Sequence, residues 1–473
     1  MKTECSNEVR CAKADLGRVG RRRLEVDFSA GRVSSDGGVF LLRAADLHGD
    51  VLGRFARCFT DHRRPERVEH TVEELLRQRV YGLALGYEDL NDHDELSRDP
   101  LLATVIGKVD PLGEARLHAK DQGVAAASAS TLGRLERTRA DANASSRYAK
   151  VVCDFEAFQK TAVDVFVESF DRPPSQLILD LDPSDIPLHG QQEQGFFHGY
   201  YDHYCYLPNY VYCGEWPLAV RLRPSNIDGS AGSEELVAPL IMQLRAAFPG
   251  VQLIVRGDSG FCREALMAWC ESQDVDYVFG LAKNPRLKAE IAGAMANSKK
   301  EFERTGKPAR RFRTIRYRTL KSWSRRRRVI AKAEYLSKGE NPRFIVTSLS
   351  ARQFRPRELY ETLYCARGEM ENRIKEHQLG LFGTRVSAHR FRANHLRVWL
   401  SMMAHLLIVI LRNKGLRGTE LARAQASSLR NRLLKIGALI SISVRRVYAR
   451  LSTAFPRKSL FFETLQRLPP APT

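Results

Sequence analysis

The sequence predicts an α/β fold in which a mixed sheet, carrying a β-rich insertion, follows a mainly helical N-terminal region. Three observations predict it. Short apolar runs separated by turns alternate with helical spacing over residues 176–282, in the order βββαβαβ. Upstream, residues 34–172 carry apolar positions three and four apart. Downstream, three Arg-rich strand-like runs come before helical patterning resumes at residue 356.

Taken in order, residues 71–86 are the clearest amphipathic helix, with Thr71 placed to cap it. The acidic run 87–95 lacks the central Gly and final Glu of a calcium loop and reads as a solvated loop before Asp99-Pro100. Strands are expected at 176–182, ending at Pro183, then at 205–211, 218–223, 252–258 and 277–282, with helices at 234–248 and 263–272. A helix near 285–296 leads to strands at 310–319, 325–335 and 344–348, and helices at 356–379 and 391–411 follow. These elements divide the chain into 1–170, a mainly helical region; 171–284, the first part of an α/β domain; 285–350, a basic β-rich insertion; 351–415, the second part of that domain; and 416–473, a basic C-terminal region.

Charge gives the first functional indication. The 473 residues carry 75 Lys and Arg against 55 Asp and Glu, a formal net charge of +20. Residues 301–473 hold 38 of the basic residues and 11 of the acidic ones, all Glu, so this segment carries +27 and the remainder −7. A basic third on a mildly acidic body suits a polyanion, with nucleic acid the leading partner. Asp276 is the last aspartate, so any catalytic carboxylate from the basic third is a glutamate. The longest apolar run, 398–411, is interrupted by His405 and is shorter than the roughly 20 residues a bilayer needs, so no membrane partner is expected. The opening stretch has no apolar core, and nine cysteines without a CxxC pair suggest a reducing, cytoplasmic location.

Three acids stand out by context: Asp182 in LDLDPSD, Asp258 in IVRGDSGF and Glu371 in YCARGEMENRIKE. In a βββαβ meander the first and fourth strands are neighbours, which brings the two aspartates together at strand ends, where α/β folds place their sites. Clustered carboxylates repel one another unless cations neutralise them, and Mg²⁺ does so through oxygen ligands. At about 100° per residue, Tyr364, Arg367, Glu371 and Lys375 share one helix face, away from Glu369 and Glu376. The same pattern also fits a surface helix laced with salt bridges.

With these motifs the chain resembles bacterial insertion-sequence transposases of the DDE type, in particular DDE transposase domain group 1, with a ribonuclease-H-like catalytic domain. The resemblance rests on SSDGGVFLLR from Ser34, GYEDLNDHDELSRDPLL from Gly86, LDLDPSDIPLHGQQE from Leu179, IVRGDSGF, and the Tyr-x2-Arg-x3-Glu signature from Tyr364. It implies that 1–170 binds DNA ends and that 171–284 and 351–415 form the catalytic domain, with a catalytic and metal-binding triad of Asp182, Asp258 and Glu371 and Asp180 a competing first acid. The fuller signature has a Lys seven residues after the Glu, where this chain has Gln378; Lys375 lies on the same face. It further implies Mg²⁺, with Mn²⁺ able to substitute, and double-stranded DNA as partner: terminal inverted repeats and target DNA, held by a homodimer. Strand cleavage and joining of 3′-OH ends is the implied activity. A non-catalytic DNA-binding relative and a nuclease without joining activity are the alternatives. DNA contacts are expected from Tyr364, Arg367 and Lys375, and in the insertion from Trp323 stacking a base beside Arg325, Arg326, Arg327 and Arg328.

Overall fold

The computed structural model describes residues 14–116 and 118–470; Cys5 and Cys11 lie outside them. The N-terminal region is helical, as its spacing predicts. Helix α1 (Val72–Leu85) opens on a reciprocal capping box, Thr71 Oγ1 accepting from Glu74 N at 3.2 Å and Glu74 Oε2 from Thr71 N at 2.9 Å, a cap worth about 1 kcal/mol. Helices α2 (Ala129–Glu136) and α3 (Phe155–Glu168) follow, capped by Ser128 and Asp154. The acidic run is not wholly loop. Asp92–Leu96 turns into a short helix because His93 is pulled inside, where its Nδ1 meets Gln78 Nε2 at 3.2 Å.

The sheet begins with β1 (Gln176–Pro183), β2 (Asn209–Cys213) and β3 (Trp216–Arg221). Helix α4 (Ser233–Ala247) leads to β4 (Gln252–Gly257), and α5 (Glu264–Ser272) to β5 (Asp276–Leu281). The expected strand 205–211 is two strands, His203–Tyr206 and β2, in different sheets. Pro208, which has no N–H to donate, falls in the break. Helix α6 (Ala292–Thr305) precedes β6 (Ala309–Tyr317), β7 (Arg327–Leu336) and β8 (Arg343–Thr347).

The strand order is β3-β2-β1-β4-β5-β8-β7-β6, with Gly339–Glu340 also on β7. The pairs β1/β4 and β4/β5 are parallel, and the others along this order antiparallel. The first five strands thus have the mixed order 3-2-1-4-5 of a ribonuclease-H-like sheet. The three Arg-rich strands do not stand apart from it: β8 pairs with β5 and extends the same sheet.

Period-two alternation assigns the faces. Leu177, Leu179 and Leu181 of β1 pack with α3, α4 and α5 in one core, while Ile254, Val278, Ile330 and Ile345 pack under the helical segment 356–364 on the other face. The third core joins distant parts of the chain: α1, helix α8 (Phe391–Ile410) and the segment 433–440 share it with Tyr210 and Tyr212 of β2. Helix α8 has the length and hydropathy to cross a membrane, yet 89% of its most apolar window is buried in the protein. Buried charges stitch this core: Glu136 accepts from Arg79 at 2.9 Å and from Arg397 at 2.7 Å, linking α2, α1 and α8.

Candidate active site

Asp182 lies near the end of β1, and Asp258 is the first residue after β4. Gly257 stands opposite Leu181 in the parallel register, so the next residues, Asp258 and Asp182, leave neighbouring strands side by side. Asp258 then caps the turn Ser259–Phe261, its Oδ1 accepting from Gly260 N at 2.8 Å, which fixes the carboxylate at the sheet edge.

Asp180 and Asp182 share a strand face, and their surroundings separate them. Asp180 is buried and bound by both arms of the Arg256 guanidinium, one at 2.7 Å. Arg256 stands directly across the register from Asp180 and also donates to the carbonyl of Leu363, so it ties β1, β4 and the Glu371-bearing helix together. Arg256 was not among the expected site residues. Its signal was in the sequence, a lone cation on the inward face of an apolar strand two residues before Asp258.

The helical segment from Pro356 to Gly380 is not one regular helix. Wide turns at Leu359–Tyr364 and Glu376–Gly380 and a tight turn at Cys365–Arg367 flank helix α7 (Gly368–Lys375). Wide turns of this kind recur at functional sites because they re-aim the side chains that follow. Here the segment delivers Arg367 between two acids, with Nη2 2.9 Å from Glu371 Oε1 and Nη1 3.4 Å from Asp182 Oδ2. Tyr364 packs against the end of β5 so closely that a Cβ on Gly280 would lie 2.6 Å from its Oη and 2.8 Å from Ser259 N. Lys375 is exposed, and Gln378 donates to Ser184 Oγ at 3.2 Å and to the Asp185 carbonyl at 3.1 Å, bracing the chain just after β1.

Electrostatics follow from this crowding. Burial pushes the Asp182 carboxyl up to about 7; Arg367 opposes the shift, while Asp258, Glu371 and Asp180 add to it. Burial opposes the charge of Arg367, but Asp182, Tyr364, Glu371 and Asp258 hold it above its ordinary range. Glu371, by contrast, is 46% exposed at its side chain.

Three carboxylates of this kind are hard oxygen donors of the sort Mg²⁺ takes. Among the described residues no three His, Cys, Asp or Glu side chains close into a ready metal cage. Between Asp182 and Glu371 the positive charge is that of the Arg367 guanidinium, so the donor chemistry fits a divalent ion once Arg367 moves aside.

The expected contacts in the insertion need correction. Trp323 is only 6% exposed and packs edge-on to Tyr317 in the main sheet core, so it cannot stack a base. Arg327 is buried between Glu264 at 2.6 Å and Glu271 at 2.7 Å, and Arg328 donates to the carbonyls of Leu349 and Phe354. Desolvating a guanidinium is costly without such partners, and two of the four consecutive arginines are therefore structural. Arg325, paired to Glu271 at 2.6 Å, and Arg326 remain at the surface.

No curated protein matches this chain. Among solved structures, the cryo-EM structure of a piggyBac transposase synaptic complex with hairpin DNA is similar at a TM-score of 0.41 and 11% identity, covering 93% of this chain and 87% of the other. The profile of the family described as transposase DDE domain group 1 matches residues 16–473, and the chain belongs to that family.

Proposed function

We propose that the protein binds the ends of an insertion sequence, hydrolyses DNA strands there with divalent metal ions, and joins the freed 3′-OH to target DNA. The observation that carries this reading is the approach of Asp182, Asp258 and Glu371 from two adjacent strand ends and a distorted helix, with the Arg367 guanidinium between Asp182 and Glu371. DDE transposase domains generally use divalent metal ions. Mg²⁺, with Mn²⁺ as a substitute, suits oxygen donors; Asp182 and Asp258 would hold it, and Glu371 would complete the set. Bound there, such ions neutralise the acids, lower the pKa of water and stabilise a leaving oxygen.

In the hydrolytic step the water oxygen bonds to phosphorus as it gives a proton to solvent, the bond to the 3′ oxygen breaks, and that oxygen takes a proton from solvent, leaving a 3′-OH and a 5′-phosphate. In joining, that 3′-OH gives its proton to solvent as its oxygen bonds to a target phosphorus, and the bond to the target's 3′ oxygen breaks, that oxygen leaving as a new 3′-OH after taking a proton from solvent. Arg367, freed from the acids, is placed to hold the reacting phosphate, with Tyr364 fixing its approach and exposed Lys375, Arg325 and Arg326 holding flanking phosphates. Two ends joined in one complex call for two copies of the chain on DNA.

The test is a labelled duplex carrying the element's terminal repeats, incubated with the purified protein and Mg²⁺. Nicked and joined products are expected. Asp182→Asn, Asp258→Asn and Glu371→Gln should each lower both by about a thousandfold or more while DNA binding persists. Binding by the wild-type protein without nicking would replace this reading with a binding protein, and nicking without joined product would replace it with a nuclease.

A further inference from the structure

A second site lies in the N-terminal helical region, among residues outside the triad. The segment Arg63–His70, Arg116, the stretch 118–128, helix α2 and the stretch Tyr148–Val151 enclose a cleft of about 460 Å³. Its lining holds six permanent cations, Arg63, Arg67, Arg116, Lys120, Arg134 and Lys150, against two carboxylates, Glu69 and Asp121. Arg63 is held by Asp61 at 2.6 Å and Arg116 by Glu69 at 2.8 Å. The other four cations have no carboxylate within 4 Å among the described residues. Arg67, Lys120 and Arg134 line the concave wall without an ion pair among the described residues, and Lys150 donates to the Ala144 carbonyl.

At the floor of the cleft the cations are paired, Arg116 with Glu69 and Lys108 with Glu74 at 3.1 Å. His70 is 6% exposed, with Arg116 Nη1 3.1 Å from its Nε2 and Lys108 Nζ 3.4 Å from its Nδ1. Burial, then Lys108, Arg116 and Arg63, push its pKa down to about 3, so the imidazole stays neutral in a field that already repels a further proton. The buried Nε of Arg116 has no hydrogen-bond partner. At the rim, the Ser128, Ser130 and Thr131 hydroxyls gather at the N-terminal end of α2, whose Ala129 N–H donates to the Asp94 carboxylate at 2.9 Å. Tyr148 stands 62% exposed beside them, with the Arg134 and Arg147 guanidiniums 5.9 and 4.9 Å from its ring centroid.

We infer that this cleft is a second DNA-contact site, holding the phosphodiester backbone of a DNA strand away from the reacting phosphates, with Tyr148 against the sugar or base at its edge. The inference rests on the DNA-binding reading above and locates part of it. Several unmatched cations distributed over three chain segments exceed what one small anion needs and suit successive phosphates, and an exposed aromatic among arginines suits a nucleotide's flat face.

The test is DNA affinity by fluorescence anisotropy across a salt series, with the full chain and a terminal-repeat duplex. Arg67→Ala/Arg134→Ala removes two cations that make no ion pair, so thermal stability should hold. Affinity should fall about tenfold or more at low salt, and the slope of log K against log [salt] should flatten by about 2, near 0.9 for each phosphate no longer neutralised. Tyr148→Ala should weaken binding with the slope unchanged. Lys300→Ala/Arg304→Ala on α6 is the matched charge control. Wild-type affinity and slope in the cleft variant, or an equal reduction in the control, would overturn the inference while leaving the triad assignment intact. Saturable binding of inorganic phosphate, abolished in the cleft variant while its DNA affinity is unchanged, would make the cleft a small-anion site and also overturn it. If the wild-type protein bound no DNA at all, both this inference and the proposed function would fail.

Discussion

Asp182 shows how one side chain records the needs of its surroundings. A carboxyl whose value in the folded protein is about 7, against an ordinary 3.8, favours the fold only in its neutral form. Its favourable contribution is complete below about 3.8 and is lost as pH rises through 7. Asp182→Asn imitates the neutral form. In metal-free solution at pH 8 it should therefore melt at a higher temperature than the wild type, and the gap should close as pH falls towards 4, while strand cleavage is abolished. A scanning-calorimetry series at several pH values checks this, and a gap that does not shrink on acidification would contradict the raised value. Arg367 supplies the complementary test. Because it occupies the space between Asp182 and Glu371, Arg367→Ala should bind Mn²⁺ several-fold more tightly in the absence of DNA, measured by calorimetry, while binding DNA less well.

At the scale of elements, the helical segment bearing Glu371 is held at both ends by buried groups. Arg256 fixes its start to β1 and β4 through the Leu363 carbonyl. At its end Glu376, drawn down to about 2 against burial by His405 and Arg412, meets Arg412 at 2.8 Å, both side chains being almost fully buried. Arg412→Ala leaves that carboxylate without its main partner and should cost about 3–5 kcal/mol in denaturant unfolding. Gly280→Ala tests the opposite contact. The new Cβ would press on Tyr364 Oη and on the backbone at Ser259, so nicking should fall sharply for a stability loss of about 1–3 kcal/mol.

For the whole molecule, the two ends of the chain complete each other. The strand Ala438–Ser443 pairs with Val33–Ser34, and Phe461 and Leu468 are buried in the core that holds α1 and α8. Deleting residues 438–473 should therefore expose apolar core from the N-terminal region. The truncated protein is expected to aggregate or bind a hydrophobic dye in solution, and a soluble, cooperatively melting product would contradict this packing.

Much of this was legible in the chain alone. Alternation and turn residues specify β1, β4 and β5 to within a residue or two, because strand period and proline chemistry are local properties. The neighbouring ends of β1 and β4, and the acids on them, followed from strand order and carry Asp182 and Asp258 to one edge. Other features depended on partners far away in sequence. Asp180 and Asp182 look alike in LDLD; only Arg256, 76 residues on, ties the first into an ion pair and leaves the second to the cluster. Four consecutive arginines look alike too, yet Glu264 and Glu271 draw Arg327 inside while Arg326 stays out. A side chain's type and period are written locally, whereas its burial and its charge partner depend on which distant segment packs against it.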